Sequence, residues 1–144
     1  MRAVDVNVLV YGHRQDAERH EEFKDWLEEA RQAEEPLGVS DLVISGFLRI
    51  VTHPRIFREP TAPGQAIQFA QAIRASPAVA PLAPGPHHWG LFCRLCEQTE
   101  ARGNQVPDAY LAAMALEAGA TWITTDRGFA RYRGLRWAHP LDPP

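Results

Sequence analysis

Short runs that are apolar throughout alternate along this chain with longer stretches whose apolar residues recur at helical spacing. The first run, "AVDVNVLV", reads as a buried strand from Val4 to Leu9 that turns into a helix. Asp16 is placed to cap the next helix, which carries Phe23, Leu27 and Ala30 on one face and stops at Pro36. "LGV" predicts a second short strand. Ser40 or Asp41 then caps a helix with Val43, Phe47, Ile50 and Val51 on its apolar side, ended by Pro54. A polar loop covers 54–62, and Thr61 with Pro63 starts a helix through Ile67, Ala70 and Ile73 that breaks at Pro77. "AVAPLAPGP" supplies a short strand or an extended link. Helices follow over about 87–102, closed at Gly103, and about 107–118, closed at Gly119. "TWITT" is β-branched and reads as a buried strand, a short turn or helix comes next, and "LRWAH" is the last strand.

Helices separated by short, fully apolar strands predict an α/β fold with a parallel sheet covered on both faces. The 144 residues form one domain over 1–144, without repeats or low-complexity segments. A chain of this size buries roughly two-thirds of its unfolded surface, enough for a core without staples. Charged residues make up 23% and hydrophobic residues 45%, an ordinary globular composition. No apolar run reaches about 18 residues, which argues against a membrane span. Asp5 interrupts the N-terminal apolar stretch, so no signal-peptide pattern is present and the cytoplasm is the expected compartment. Cys93 and Cys96 are the only cysteines. With no second pair to complete a zinc site, and lying inside a helical pattern, they read as two semi-buried helix residues.

The net charge of −3 is unevenly spread. Residues 16–35 hold nine acids and three bases, a net of −6 that leaves +3 elsewhere. The acidic stretch reads as a solvated helix face. Outside it, arginines gather as Arg49, Arg55 and Arg58, and again as Arg127, Arg131, Arg133 and Arg136. Arginine suits phosphate, though scattered surface arginines carry little weight alone.

Three aspartates carry more. Asp5 sits at the carboxyl end of the first predicted strand, and Asp126 directly follows "TWITT". Asp108 lies in the first turn of a helix, where the macrodipole favours a negative group. In open α/β sheets, sites collect beyond the carboxyl ends of the strands, so the three carboxylates are expected to converge on one sheet edge. Taken singly, Asp108 is explained as a helix-start charge and Asp126 as a turn residue. Asp5 has no evident capping role among its valines, and an unpartnered buried carboxylate costs several kcal/mol. Crowded like charges repel unless a cation neutralises them, and hard oxygen ligands with open positions suit Mg²⁺ or Mn²⁺.

Four segments, "VDVNVLVYGH", "FLRIVTHPRIF", "VPDAYLAAMALEAGA" and "TTDRGFARYRGLRWAHPL", together resemble PIN-domain proteins, most closely the VapC toxins of bacterial toxin–antitoxin pairs. The resemblance spans nearly the whole chain. It implies a three-layer α/β/α sandwich with a central parallel sheet, a Mg²⁺- or Mn²⁺-dependent endoribonuclease, a small VapB-type antitoxin as partner, and a homodimer. Carried over by position, the metal-holding and catalytic acids are Asp5, Asp108 and Asp126. Asn7 orders Asp5, Thr124 stands two residues before Asp126, and Arg49 matches the arginine of the "FLR" element. His13 and Thr124 are expected to position water or phosphate. The family's usual glutamate, three residues before that arginine, is here Gly46, and an acid sometimes found two residues after the last aspartate is here Gly128. Asp41 is turned about 140° from position 46 on a helix and is a poor substitute.

Two other readings compete. A PIN fold acting only as an RNA- or protein-binding module draws support from Gly46. A phosphotransferase of the haloacid-dehalogenase kind also places an aspartate after its first strand, but it needs a second one where Asn7 stands, and a downstream lysine. Lys24 is the only lysine, and no Gly-Lys pair exists for a P-loop.

Overall fold

In the computed structural model, which describes residues 1–144, the N-terminal apolar run divides earlier than its composition predicts. Strand β1 spans only Arg2–Val4, and helix α1, Val6–His13, begins directly after it. Asp5 makes the break. Its carboxylate Oδ1 accepts the Val6 backbone N–H at 2.7 Å, so Asp5 does have a capping role, as the N-cap of α1. Val8, Leu9 and Val10 are therefore buried as helix, not strand. An unbroken apolar run fits either element until a cap fixes the boundary.

The chain continues through α2 (His20–Ala30), β2 (Leu37–Ser40), α3 (Asp41–Val51), α4 (Pro63–Arg74) and β3 (Val79–Leu82). It closes with α5 (His88–Thr99), α6 (Gln105–Ala118), β4 (Thr121–Ile123), a 3₁₀ turn over Arg127–Arg131 and β5 (Trp137–Ala138). Several ends differ from their sequence signals. Asp16 does not cap α2, because it takes two hydrogen bonds from the Arg14 guanidinium at 2.9 and 2.6 Å; the chain enters α2 through Arg19 at φ +58°. Ser40, not Asp41, caps α3, accepting the Leu42 N–H at 3.1 Å. Thr61 does not cap α4 either, since its hydroxyl is held by His13 and Arg14, and Pro63 opens that helix unaided. Helix α5 stops at Thr99 with Glu100 in the left-handed region, ahead of Gly103, whereas Gly119 at φ +64° closes α6 as expected. Ile67 points outward at 46% exposure, leaving Ala66, Ala70 and Ile73 to bury α4.

The five strands lie in the order β3-β2-β1-β4-β5, and every neighbouring pair is parallel. Pro81 is tolerated because β3 is an edge strand. Right-handed crossovers put α1 to α4 on one face and α5 with α6 on the other, the three-layer α/β/α sandwich expected. From β1 the chain steps outward to β2 and β3, then returns through α5 and α6 to β4 on the far side of β1. The crossovers thus change face between β1 and β4, which opens a crevice above the carboxyl ends of those two strands. No helix is long and apolar enough to cross a membrane. Cys93 and Cys96 are half-buried and unbridged on α5, as expected.

Phe47 anchors α3 in this core. It is fully buried, edge-on to His13 at 5.4 Å and 5.1 Å from the Phe69 ring. Phe47→Ala is expected to cost about 3–5 kcal/mol of unfolding free energy, read from urea denaturation.

Candidate active site

Backbone register builds the site. Val4 pairs with Ile123 across β1 and β4, so Asp5 and Thr124 emerge side by side at the carboxyl edge. The Asp5 N–H reaches the Ile123 carbonyl at 2.9 Å and extends the ladder by one bond. Above the sheet, the Thr124 hydroxyl donates to Asp5 Oδ2 at 2.6 Å and accepts from Asn7 Nδ2 at 3.2 Å and the Asp126 N–H at 3.0 Å. Asn7 also donates to Asp5 Oδ2 at 3.2 Å, and its Oδ1 accepts the Thr125 N–H at 3.2 Å. Asp5, 6% exposed, is thereby held by three donors.

The three aspartates line one cleft of about 470 Å³. Its floor is Asp5 and Asn7, one wall is α3 with Gly46 and Arg49, and the other is α6 with Asp108 and, beyond it, Asp126. Asp126 caps the 3₁₀ turn through a 2.8 Å bond from the Gly128 N–H. Burial, and then the negative charges of Asp108 and Asp126, push the Asp5 pKa up to about 6 against the bonds from Thr124 and Val6 that lower it. Burial and the Asp126 charge raise Asp108 as well, opposed by Arg131.

No three acidic or imidazole side chains are drawn into a closed cation cage. The three carboxylates expected at one sheet edge face one open cleft. The donor set is nonetheless all oxygen, and two of its members, Asp108 and Asp126, keep free lone pairs. Such a set suits a hard divalent cation that retains part of its water shell.

Other predicted residues are redistributed. Thr124 is fully buried with its hydroxyl committed, so it orients Asp5 and cannot meet water or phosphate. His13 is absent from the cleft: eight residues along α1, it lies about 12 Å from Asp5. Its Nε2 pairs with Thr61 Oγ1 at 3.1 Å, its ring packs on Phe47 and Phe69, and it faces a separate polar cleft with Arg14, Glu59 and Gln65. Arg49 lines the aspartate cleft, exposed and without an acidic partner. Asp41 pairs with Arg74, away from the cleft. A Cβ on Gly46 would stand 3.0 Å from Val6 Cγ2, so position 46 borders the cleft but is packed by α1. Asn104 and Ser45 also line the cleft, and only their nearness to Asp108 and Gly46 in the chain could have indicated them.

A parallel α/β/α sandwich with acids gathered at its switch point defines a class of small acidic-cleft domains. The PIN domain profile matches residues 3–135. The chain is 51% identical over 142 residues to the VapC ribonuclease Mb2897 of Mycobacterium bovis, covering 99% of this chain and 97% of that protein. It is 38% identical over 140 residues to ribonuclease VapC25 of Mycobacterium tuberculosis, covering 97% and 99%. The crystal structure of VapBC2 from Rickettsia felis, bound to a DNA fragment from its promoter, superposes with a TM-score of 0.71 at 16% identity, covering 96% of this chain and 97% of that one. The chain belongs to the PIN domain family, which sets aside the haloacid-dehalogenase alternative.

The raised Asp5 pKa gives a signed pH dependence. Folded Asp5 keeps its proton up to about pH 6, whereas the ordinary carboxyl value of 3.8 has the unfolded chain release it earlier. The native state is therefore favoured at low pH and loses that contribution as pH rises through 6, and the Asp108 shift has the same sign. In EDTA, stability is expected to fall by on the order of 1 kcal/mol between pH 5 and 7.5 from Asp5. Asp5→Asn should flatten that slope in thermal melts.

Proposed function

We propose that this protein is a divalent-metal-dependent endoribonuclease that hydrolyses RNA phosphodiesters, working in the cytoplasm under the control of a VapB-type antitoxin. The observation that carries the reading is the gathering of Asp5, Asp108 and Asp126 in one cleft at the switch point of a PIN fold. The relatives named as VapC ribonucleases, and the VapBC assembly among the structural neighbours, support the activity and the partner. A homodimer is the assembly the resemblance implies, read by solution mass.

In this reading Asp5, Asp108 and Asp126 hold Mg²⁺ or Mn²⁺. A bound divalent cation supplies the positive charge that activates water and stabilises the developing charge on phosphorus. The chain's own work is positioning. Thr124 and Asn7 fix the Asp5 carboxylate, the Gly128 N–H fixes Asp126, and Arg49 offers a cation from the α3 wall. Asp5 must give up its proton to bind the ion, so metal affinity rises with pH through about 6. No side chain in the cleft is set up as a covalent nucleophile, which leaves water as the attacking group.

The test is cleavage of single-stranded RNA with and without EDTA, for wild type and Asp5→Asn. EDTA should stop cleavage, and the variant should lose about 100-fold or more in rate. Equal rates for both proteins would reject the site. Intact RNA with wild type in Mg²⁺ or Mn²⁺ would favour the binding-module reading, for which the glycine at position 46 speaks.

Position 46 has its own test. Val6 is β-branched and stiff within a helix, so a glutamate at 46 needs Val6 trimmed. Val6→Ala/Gly46→Glu is expected to bind Mn²⁺ about 10-fold tighter than Val6→Ala by calorimetry. Equal affinities would place position 46 out of reach of the ion.

A further inference from the structure

Arg131 is not among the residues that would hold the metal ion, yet it stands beside one of them, Asp126. It ends the 3₁₀ turn that Asp126 begins and is exposed. Gly128 makes room for it: a Cβ there would stand 2.5 Å from Arg131 Nη2 and 2.8 Å from Asp126 Oδ1. The guanidinium thus fills the space that a side chain at position 128 would take, beside the Asp126 carboxylate. It is also near enough to Asp108 to counter the effect of burial on that carboxyl. Despite two acidic neighbours it closes no salt bridge, whereas Arg14, Arg74 and Arg127 each take a carboxylate. Its guanidinium carbon lies 5.8 Å from the centre of the Tyr132 ring, and no carboxylate pairs with it.

We propose that Arg131 binds the phosphodiester of the RNA substrate, its guanidinium taking non-bridging oxygens of the backbone that runs past Asp108 and Asp126. The inference rests on the ribonuclease reading and adds a substrate contact to it. An acidic cleft repels the polyanion it is to cut, and a cation beside Asp126 offsets that repulsion. The planar fork of arginine matches two phosphate oxygens. Arg49 lines the cleft from α3, so a strand that lies in the cleft and runs out past Asp126 meets a second cation. The competing role is simple charge compensation of the aspartates. In that role, loss of Arg131 would tighten divalent-ion binding and leave RNA affinity alone.

The experiment measures binding of a labelled single-stranded RNA by fluorescence anisotropy in Mg²⁺. It uses the full chain carrying Asp5→Asn, so that RNA is held without being cut. Adding Arg131→Ala should weaken RNA affinity about 10-fold or more and reduce the salt dependence by about one counterion. Arg131→Lys should retain part of the affinity. Arg94→Ala, at an exposed position on α5 outside the cleft, should stay within about 2-fold as the charge control. In the cleaving chain, Arg131→Ala should raise KM. Equal RNA affinity for the Arg131→Ala and Arg94→Ala chains, with tighter Mn²⁺ binding in the former, would overturn the proposal. RNA that is bound through Arg131 but never cleaved by the parent chain would instead overturn the ribonuclease reading and leave this one standing.

Discussion

One buried hydrogen bond organises the cleft: the Thr124 hydroxyl donating to Asp5 Oδ2 at 2.6 Å. A buried carboxylate without partners is costly, and this hydroxyl sits where the β1–β4 register leaves it no other place. Because the same hydroxyl oxygen accepts from Asn7 and from the Asp126 N–H, one atom ties the first strand, the first helix and the turn carrying Asp126. Displacing it would loosen two acids at once.

The acids are tolerated because of where their elements begin. Asp5 is the N-cap of α1, and Asp108 lies in the first turn of α6. Both helices therefore point partial positive charge at the cleft, which offsets part of the mutual repulsion without a neutralising base. Asp126 repeats the device as cap of the 3₁₀ turn. Strand, aspartate, helix start is thus used on both sides of the switch point, and that repetition explains how carboxylates far apart in sequence meet.

Much of this was legible in the residues. Alternation of short apolar strands with helical stretches pointed to the parallel sandwich, and an acid inside the first apolar run marked the site. The boundary at Asp5 was not legible, because Val6 to Val10 suit strand and helix equally until the cap is seen. Asp16 looked like a cap and is a partner of Arg14, since a guanidinium fork outcompetes a single backbone N–H. His13 looked close to Asp5 in sequence, but a helix carries it two turns away along its axis. Arg131 was one of several arginines in a basic stretch, and only the folded turn shows which of them reaches the aspartates.

Two glycines stand where the family resemblance leads one to expect acids, and the structure gives them different reasons. Gly46 is small because Val6 packs onto it, so α1 and α3 approach closely at the price of a ligand. Gly128 is small because a guanidinium occupies its side-chain space. The first change removes a negative charge from the cleft and the second sets a positive one beside it. Both reduce the pull on a divalent cation, and both reduce the repulsion of a phosphodiester. A cleft with three acids, Arg49 on its wall and Arg131 beside Asp126 shifts the balance from holding the ion toward admitting the strand. The raised pKa of Asp5 fits that balance: it comes first from burial, with the Asp108 and Asp126 charges adding to it, and a fourth carboxylate at position 46 would add repulsion that a bound cation relieves.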